Sequence, residues 1–186
     1  MSVAERAARI AEEIGATVRR VDDEAASRLV EALAETPRVF VAGAGRSGCA
    51  VRAFAMRLAH LGLSAHVVGE TTTAALAAGD LLVVGSGSGS TGSMVAIAQK
   101  AAALGGRIAL VTIREGSPIG ELAEIQLCVP APTPKLDGPD EASSIQPMGS
   151  LFEQSLLVVL DAVVLGLMDR LASDPGTMFS RHANLE

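Results

Sequence analysis

The chain has 186 residues, about one domain at ~150 residues per domain, and needs no disulfide or metal staple to bury a core. Apolar residues make up 49% and charged residues 19%, which excludes wholesale disorder. A net charge of −6, four Phe, and no Tyr or Trp argue against duplex DNA binding and against stacking on single-stranded nucleic acid.

Cys49 and Cys128 form no CxxC pair and no metal-ligand cluster. They read as two small buried hydrophobes in a reducing cytoplasm, and no metal is expected. The first residues are charged and amphipathic, with no apolar run behind them, so neither a signal peptide nor a membrane anchor is expected there. A cytoplasmic location follows as an expectation.

Residues 1–36 read as helices. Ser2 and Glu5 form an S-x-x-E capping box, and Ile10, Ile14, Val18 and Val21 follow helical spacing. Asp22 or Asp23 starts a second helix carrying Leu29, Val30 and Leu33, and Pro37 stops it. The period then changes. Short apolar runs at 39–42, 65–68, 81–85, 107–113 and 125–129 read as strands buried on both faces. Helical segments at 47–61, 91–104 and 118–123 separate most of them. This alternation predicts a three-layer α-β-α sandwich around a five-stranded parallel sheet, of flavodoxin-like or Rossmann-like type.

Residues 130–150 read as a long loop, which in a compact domain points to function. Residues 151–168 form the most apolar stretch but include Glu153 and Asp161. That stretch is marginal for a bilayer span and reads as a buried core or interface helix running to about Leu171. Asp174-Pro175-Gly176 reads as a turn, and the rest as a polar tail without a hydrophobic period. The chain thus divides into helices (1–36), sheet and helices (37–172) and tail (173–186).

Open parallel sheets bind ligands beyond the carboxyl ends of their strands. Two strand-to-helix junctions here are glycine-rich: Gly43-Ala44-Gly45-Arg46-Ser47-Gly48, and Gly85-Ser86-Gly87-Ser88-Gly89-Ser90-Thr91-Gly92. Glycine lets backbone amides approach an anion, and a helix N-terminus adds unpaired N–H groups. Arg46 adds a fork suited to phosphate. The first loop fits G-x-G-x-x-G, with Glu70 where a dinucleotide fold places its ribose acid. Three facts disfavour a nicotinamide or flavin: there is no second domain, the second loop is richer in hydroxyls, and Arg46 and Ser47 suit a phosphate monoester better. No nucleotide P-loop motif occurs.

Glu153 is the leading candidate proton shuttle. It stands in the first turn of an apolar helix, where Leu151, Phe152, Leu156 and Leu157 would raise its pKa. An ordinary first-turn glutamate is the competing reading. His182 is the second candidate, on a tail that could dock on a neighbouring subunit. His60, His66 and Arg57 read as structural or surface residues.

Taken together, residues 41–48, 54–58, 60–62, 67–71, 86–89, 145–154 and 181–186 resemble the 6-phospho-3-hexuloisomerase family of sugar isomerase (SIS) domains. The glycine loops alone would show only the broader SIS class. Ile-Gln-Pro-Met-Gly-Ser-Leu-Phe-Glu-Gln (145–154) and Arg-His-Ala-Asn-Leu-Glu (181–186) narrow it. The resemblance implies interconversion of D-arabino-hex-3-ulose 6-phosphate and fructose 6-phosphate in the ribulose monophosphate pathway of formaldehyde fixation. It further implies a homotetramer with sites near subunit interfaces, and no metal or organic cofactor. Carried over by motif, Gly45, Arg46 and Ser47, together with Ser86, Gly87, Ser88, Gly89, Ser90 and Thr91, would hold the phosphate. Glu153 would move the carbon-bound proton, and His182 would come from an adjacent subunit.

Two positions depart from the family: Thr71-Thr72-Thr73 is followed by Ala74 where the family often has Pro close by, and the second lies in the phosphate loop. That loop usually reads Ser-Gly-Ser-Gly-Glu-Thr, and Ser90 replaces the Glu here. Losing that charge would tighten anion binding or shift substrate preference. A sugar-phosphate sensor and an isomerase of another sugar phosphate, such as arabinose 5-phosphate, are the alternatives. No helix-turn-helix precedes the domain, which disfavours the sensor.

Overall fold

The computed structural model describes residues 1–133 and 144–184. The middle of the expected 130–150 loop and the last two residues, Leu185 and Glu186, lie outside the described residues. Five strands, β1 (Val39–Gly43), β2 (Ala65–Val67), β3 (Leu81–Gly85), β4 (Arg107–Thr112) and β5 (Ile125–Cys128), form one sheet in the order β2-β1-β3-β4-β5. All pairs are parallel, as the alternation predicts. The helices are α1 (Val3–Val18), α2 (Asp23–Glu35), α3 (Gly45–Leu61), α4 (Gly92–Ala103), α5 (Ser150–Arg170) and α6 (Pro175–Ser180).

Strand side chains alternate between two cores. Val39, Val41, Leu81, Val83, Ala109 and Val111 pack with α2, α3 and α5. Phe40, Ala42, Leu82, Val84, Ile108 and Leu110 pack with α4 on the other face. β2 is an edge strand and its residues are only half-buried.

α5 is long and apolar enough to span a bilayer by composition, yet half of that stretch is buried within the domain. Leu151, Phe152, Leu156, Val159, Leu160, Val163 and Leu167 recur at helical spacing on its buried face. Leu157, Val158 and Leu165 stay exposed on the other.

Several expectations need correction. Residues 118–123 form one 3-10 turn, Gly120–Leu122, instead of a helix. There Ser117 Oγ accepts from the Gly120 N–H at 3.1 Å, a bond of the N-cap type, and the chain is already extended at Ala123 to enter β5. The expected turn at 174–176 opens the short helix α6. Asp174 caps it through the Thr177 N–H at 3.0 Å, and Pro175 takes the first turn. Cys49 is exposed and Cys128 half-buried, because Cys49 falls on the solvent side of α3.

Asp80 is 2% exposed and binds Arg38 through both oxygens, at 3.1 Å from Nε and 2.7 Å from Nη2. It also accepts from the Ala77 N–H at 2.7 Å. Burial alone would raise its carboxyl; the Arg38 fork, the Ala77 N–H and nearby His66 outweigh that and hold it below the usual aspartate range. The stability it supplies is therefore present above the ordinary aspartate pKa and is lost as pH falls through the lowered folded value. Asp80→Ala should cost about 2–4 kcal/mol, short of a fully buried pair because Arg38 still reaches solvent. Urea denaturation at pH 7 measures it; a loss below about 0.5 kcal/mol, the level of an ordinary surface substitution, would contradict this assignment.

Candidate active site

β1 and β3 are neighbours, yet the chain leaves them toward opposite faces, into α3 and α4. That divergence is the topological switch point of a doubly wound sheet. A crevice of about 350 Å³ opens there. Ala44, Gly45 and Ser47 form one wall, and Gly85 to Ser88 with Thr91 form the floor. Ile113, Thr133, Met148, Gly149, Phe152 and Glu153 close the other side.

Three helices begin at this crevice: α3, α4 and α5. Their N-cap residues, Ala44, Thr91 and Gly149, make no side-chain cap bond. Away from it, α1, α2 and α6 are capped by Ser2, Asp22 and Asp174. The first N–H groups of a helix need an acceptor. Here, among the α-helices of the described residues, those lacking a side-chain cap are those that face the crevice, an arrangement suited to an anion.

The second glycine loop is pinned from behind. The Gly87 carbonyl accepts from Thr112 Oγ1 at 3.0 Å and from the Ile113 N–H at 3.1 Å. Because the peptide is planar and trans, the Ser88 N–H points away from β4. Gly89 lies in the left-handed region at φ 59°, and a Cβ there would overlap the Ser117 hydroxyl. Its carbonyl accepts from the Ile119 N–H at 3.1 Å.

The predicted site residues separate into groups. Gly45, Ser47, Ser86, Gly87, Ser88, Thr91 and Glu153 all line the crevice. Gly89 is a buried turn residue behind it. Ser90, the departure from the family pattern in this loop, is exposed and outside the lining; its N–H bonds Ser88 Oγ at 3.2 Å. Arg46 reaches across the mouth, and its Nε donates to Glu153 Oε2 at 2.6 Å. Of the apolar neighbours expected around Glu153, Phe152 lines the crevice with it, Leu151 and Leu156 are buried in the core, and Leu157 is exposed. Glu70, weighed as a ribose acid, instead pairs with Arg52 at 2.5 Å.

His182 is far away. It packs against His60, ring centroids 5.2 Å apart, at the carboxyl end of α3. Gly45 at the crevice begins that helix, so His60 lies roughly 22 Å from it at ~1.5 Å per residue. Arg181 Nη1 donates to the Leu61 carbonyl at 2.8 Å and the His60 carbonyl at 3.3 Å. Burial, His182 and Arg57 together lower the His60 pKa. Arg181 and His182 of the tail therefore pack on the His-Leu-Gly segment.

Thr133 and Met148 carried no sequence signal as wall residues. Met148 has φ 59°, a conformation that typically costs ~1–3 kcal/mol outside glycine and persists only where its surroundings impose it. Thr133 Oγ1 donates to its carbonyl at 3.1 Å.

This sheet order, with two glycine loops and open helix N-termini at its switch point, defines a doubly wound α/β domain of flavodoxin-like order built to hold an anion. A family model described as SIS domain matches residues 32–158, and the chain belongs to that family. A Bacillus subtilis protein named 3-hexulose-6-phosphate isomerase is 45% identical, over 100% of both chains. A Mycobacterium gastri protein of the same name is 45% identical over 95% of this chain and 88% of its own. A Methanococcus jannaschii crystal structure, described as inferring a molecular function of 3-hexulose-6-phosphate isomerase, superposes with a TM-score of 0.82. It is 32% identical and covers 98% of this chain and 99% of its own. Within SIS domains, the chain belongs to the 3-hexulose-6-phosphate isomerase family.

Proposed function

We propose that this chain interconverts D-arabino-hex-3-ulose 6-phosphate and D-fructose 6-phosphate, an enzymatic step of the ribulose monophosphate pathway. The observation that carries the reading is one carboxylate, Glu153, on a crevice where three helix N-termini without side-chain caps converge. Two full-length relatives bearing the isomerase name support it.

The chemistry is an internal redox exchange between adjacent carbons. Glu153 takes the proton from C2 of the 3-ketose, the C–H electrons form a C2–C3 double bond, and the C3 carbonyl oxygen takes a proton from a second group, His182 of an adjacent subunit. The same group then takes the O2 proton of the cis-enediol, C2 becomes the carbonyl, and Glu153 returns its proton to C3. Ser47, Ser86, Ser88, Thr91 and the loop amides hold the phosphate, remote from the reacting carbons, and so supply orientation. Arg46 leaves Glu153 for the incoming phosphate dianion, freeing the carboxylate when substrate is bound.

His182, roughly 22 Å from its own crevice by helix length, serves the crevice of another subunit. The working form is a cytoplasmic homotetramer, and the exposed Leu157, Val158 and Leu165 of α5 supply apolar contact area. Purified protein given the 3-ketose 6-phosphate should produce fructose 6-phosphate, read by a coupled dehydrogenase, and leave arabinose 5-phosphate unchanged. Turnover of arabinose 5-phosphate alone would overturn the substrate assignment.

A further inference from the structure

Glu13 lies on α1, outside the residues that the SIS family model matches. Its carboxylate nonetheless gathers three consecutive residues of the strap that enters α5. Oε2 accepts from the Ser144 hydroxyl at 2.8 Å and from Gln146 Nε2 at 3.2 Å. Oε1 accepts from the Ile145 N–H at 2.9 Å. The Ser144 hydroxyl also accepts from the Gln146 N–H at 3.0 Å, and Gln146 is buried. Burial alone would raise the Glu13 carboxyl, but these donors and Arg9 hold it below the usual glutamate range.

The path from this knot to Glu153 is short and hydrogen-bonded throughout. Pro147 follows directly, and its carbonyl accepts from the Ser150 N–H at 3.2 Å. Met148 sits at φ 59° with its carbonyl held by Thr133. The Gly149 carbonyl accepts from the Glu153 N–H at 3.0 Å. A left-handed residue between two anchored segments transmits displacement, because its own geometry leaves little slack. Releasing Ser144–Gln146 therefore loosens the first turn of α5.

We propose that Glu13 is a positioning residue for proton transfer: its carboxylate tethers Ser144, Ile145 and Gln146 and so fixes the helical turn that carries Glu153. The inference rests on the reading of Glu153 as the proton shuttle. Charge-assisted acceptance by a carboxylate suits the task, since such bonds are roughly twice as strong as neutral ones. The phosphate-binding loops do not touch Glu13, so the tether bears on turnover more than on binding.

The test compares Glu13→Ala and Glu13→Gln with wild type, at a temperature where circular dichroism shows each fully folded. Glu13→Ala should lower kcat about 10- to 100-fold, the scale of a misplaced catalytic group, with KM held within about threefold. Glu13→Gln keeps an acceptor for the Ile145 N–H and should recover part of that loss. Exchange of the Ile145 amide with solvent should accelerate roughly tenfold in Glu13→Ala. A folded Glu13→Ala enzyme with wild-type kcat overturns the proposal; if Glu13→Ala does not fold, Glu13→Leu, which keeps side-chain bulk and removes both acceptor oxygens, takes its place, and wild-type kcat in that variant does the same. Wild-type protein that moves no proton on the sugar phosphate would overturn the Glu153 reading. Ile145 exchange would then judge the tether alone, and an unchanged rate in Glu13→Ala would sink it.

Discussion

Glu153→Gln stops the isomerisation while the sugar phosphate still binds. The substitution keeps the side chain's shape and removes its charge, and with it the capacity to take a proton. Positioned acid–base groups contribute about 10²–10⁴-fold, and that is the expected fall in kcat. The phosphate is held by other residues, chiefly the serines and helix amides of the two loops, so KM should change little. Stability should also hold, because the Arg46 partner is 65% exposed and exposed ion pairs contribute about 0–1 kcal/mol. Steady-state kinetics with a parallel thermal melt separate these effects. A Glu153→Gln enzyme within tenfold of wild-type kcat would remove Glu153 from the proton path.

Gly48→Ala produces the second large effect, by a steric route. A Cβ on Gly48 would stand 2.6 Å from the Gly43 carbonyl oxygen and 3.1 Å from its carbon. Both are backbone atoms of β1, so no side chain can turn aside. The first turn of α3 must lift off the strand, and it carries Gly45, Arg46 and Ser47 with it. Overpacking of this kind costs about 1–3 kcal/mol, and a displacement near 1 Å at a binding loop can cost about 100-fold in activity. The expected result is a lowered melting temperature together with a KM raised at least tenfold. Unchanged melting and KM would mean that the close approach of β1 and α3 is not what shapes the first loop.

Much of this architecture is readable from local pattern. Ser2 and Glu5 do form their capping box, with bonds of 2.6 and 3.2 Å. The runs at β1, β3 and β4 become strands because each is short, apolar on both faces and bounded by turn residues, whereas β2 and β5, expected to be buried on both faces, are sheet edges on which His66 and Gln126 are half-buried. The glycine loops stand at strand ends, as their composition implies. The misses have physical reasons too. Residues 118–123 are apolar enough for a helix, but the chain turns extended at Ala123 to enter β5 at Ile125, which leaves length for a single turn. Asp174 and Pro175 are a valid helix start, and only the shortness of α6 hides it.

The site divides along the same line. Ser47, Ser86 and Glu153 are legible because each sits where a strand or loop meets a helix. The long-range pairs are not: Arg46 with Glu153 at the crevice, Glu13 with Ser144 to Gln146 behind it, and His60 with His182 at the far end of α3 each lie far apart in the chain. Periodicity records which face a residue takes on its own element. It does not record which residue of another element it meets.

The most direct test of an enediol isomerase is proton exchange on its product. Fructose 6-phosphate would be mixed with the protein in deuterated buffer and followed by proton NMR. The account predicts loss of the C3 proton signal as deuterium enters, and growth of a 3-ketose 6-phosphate deuterated at C2. A persistent C3 proton signal, with line broadening showing that the sugar is bound, would contradict it.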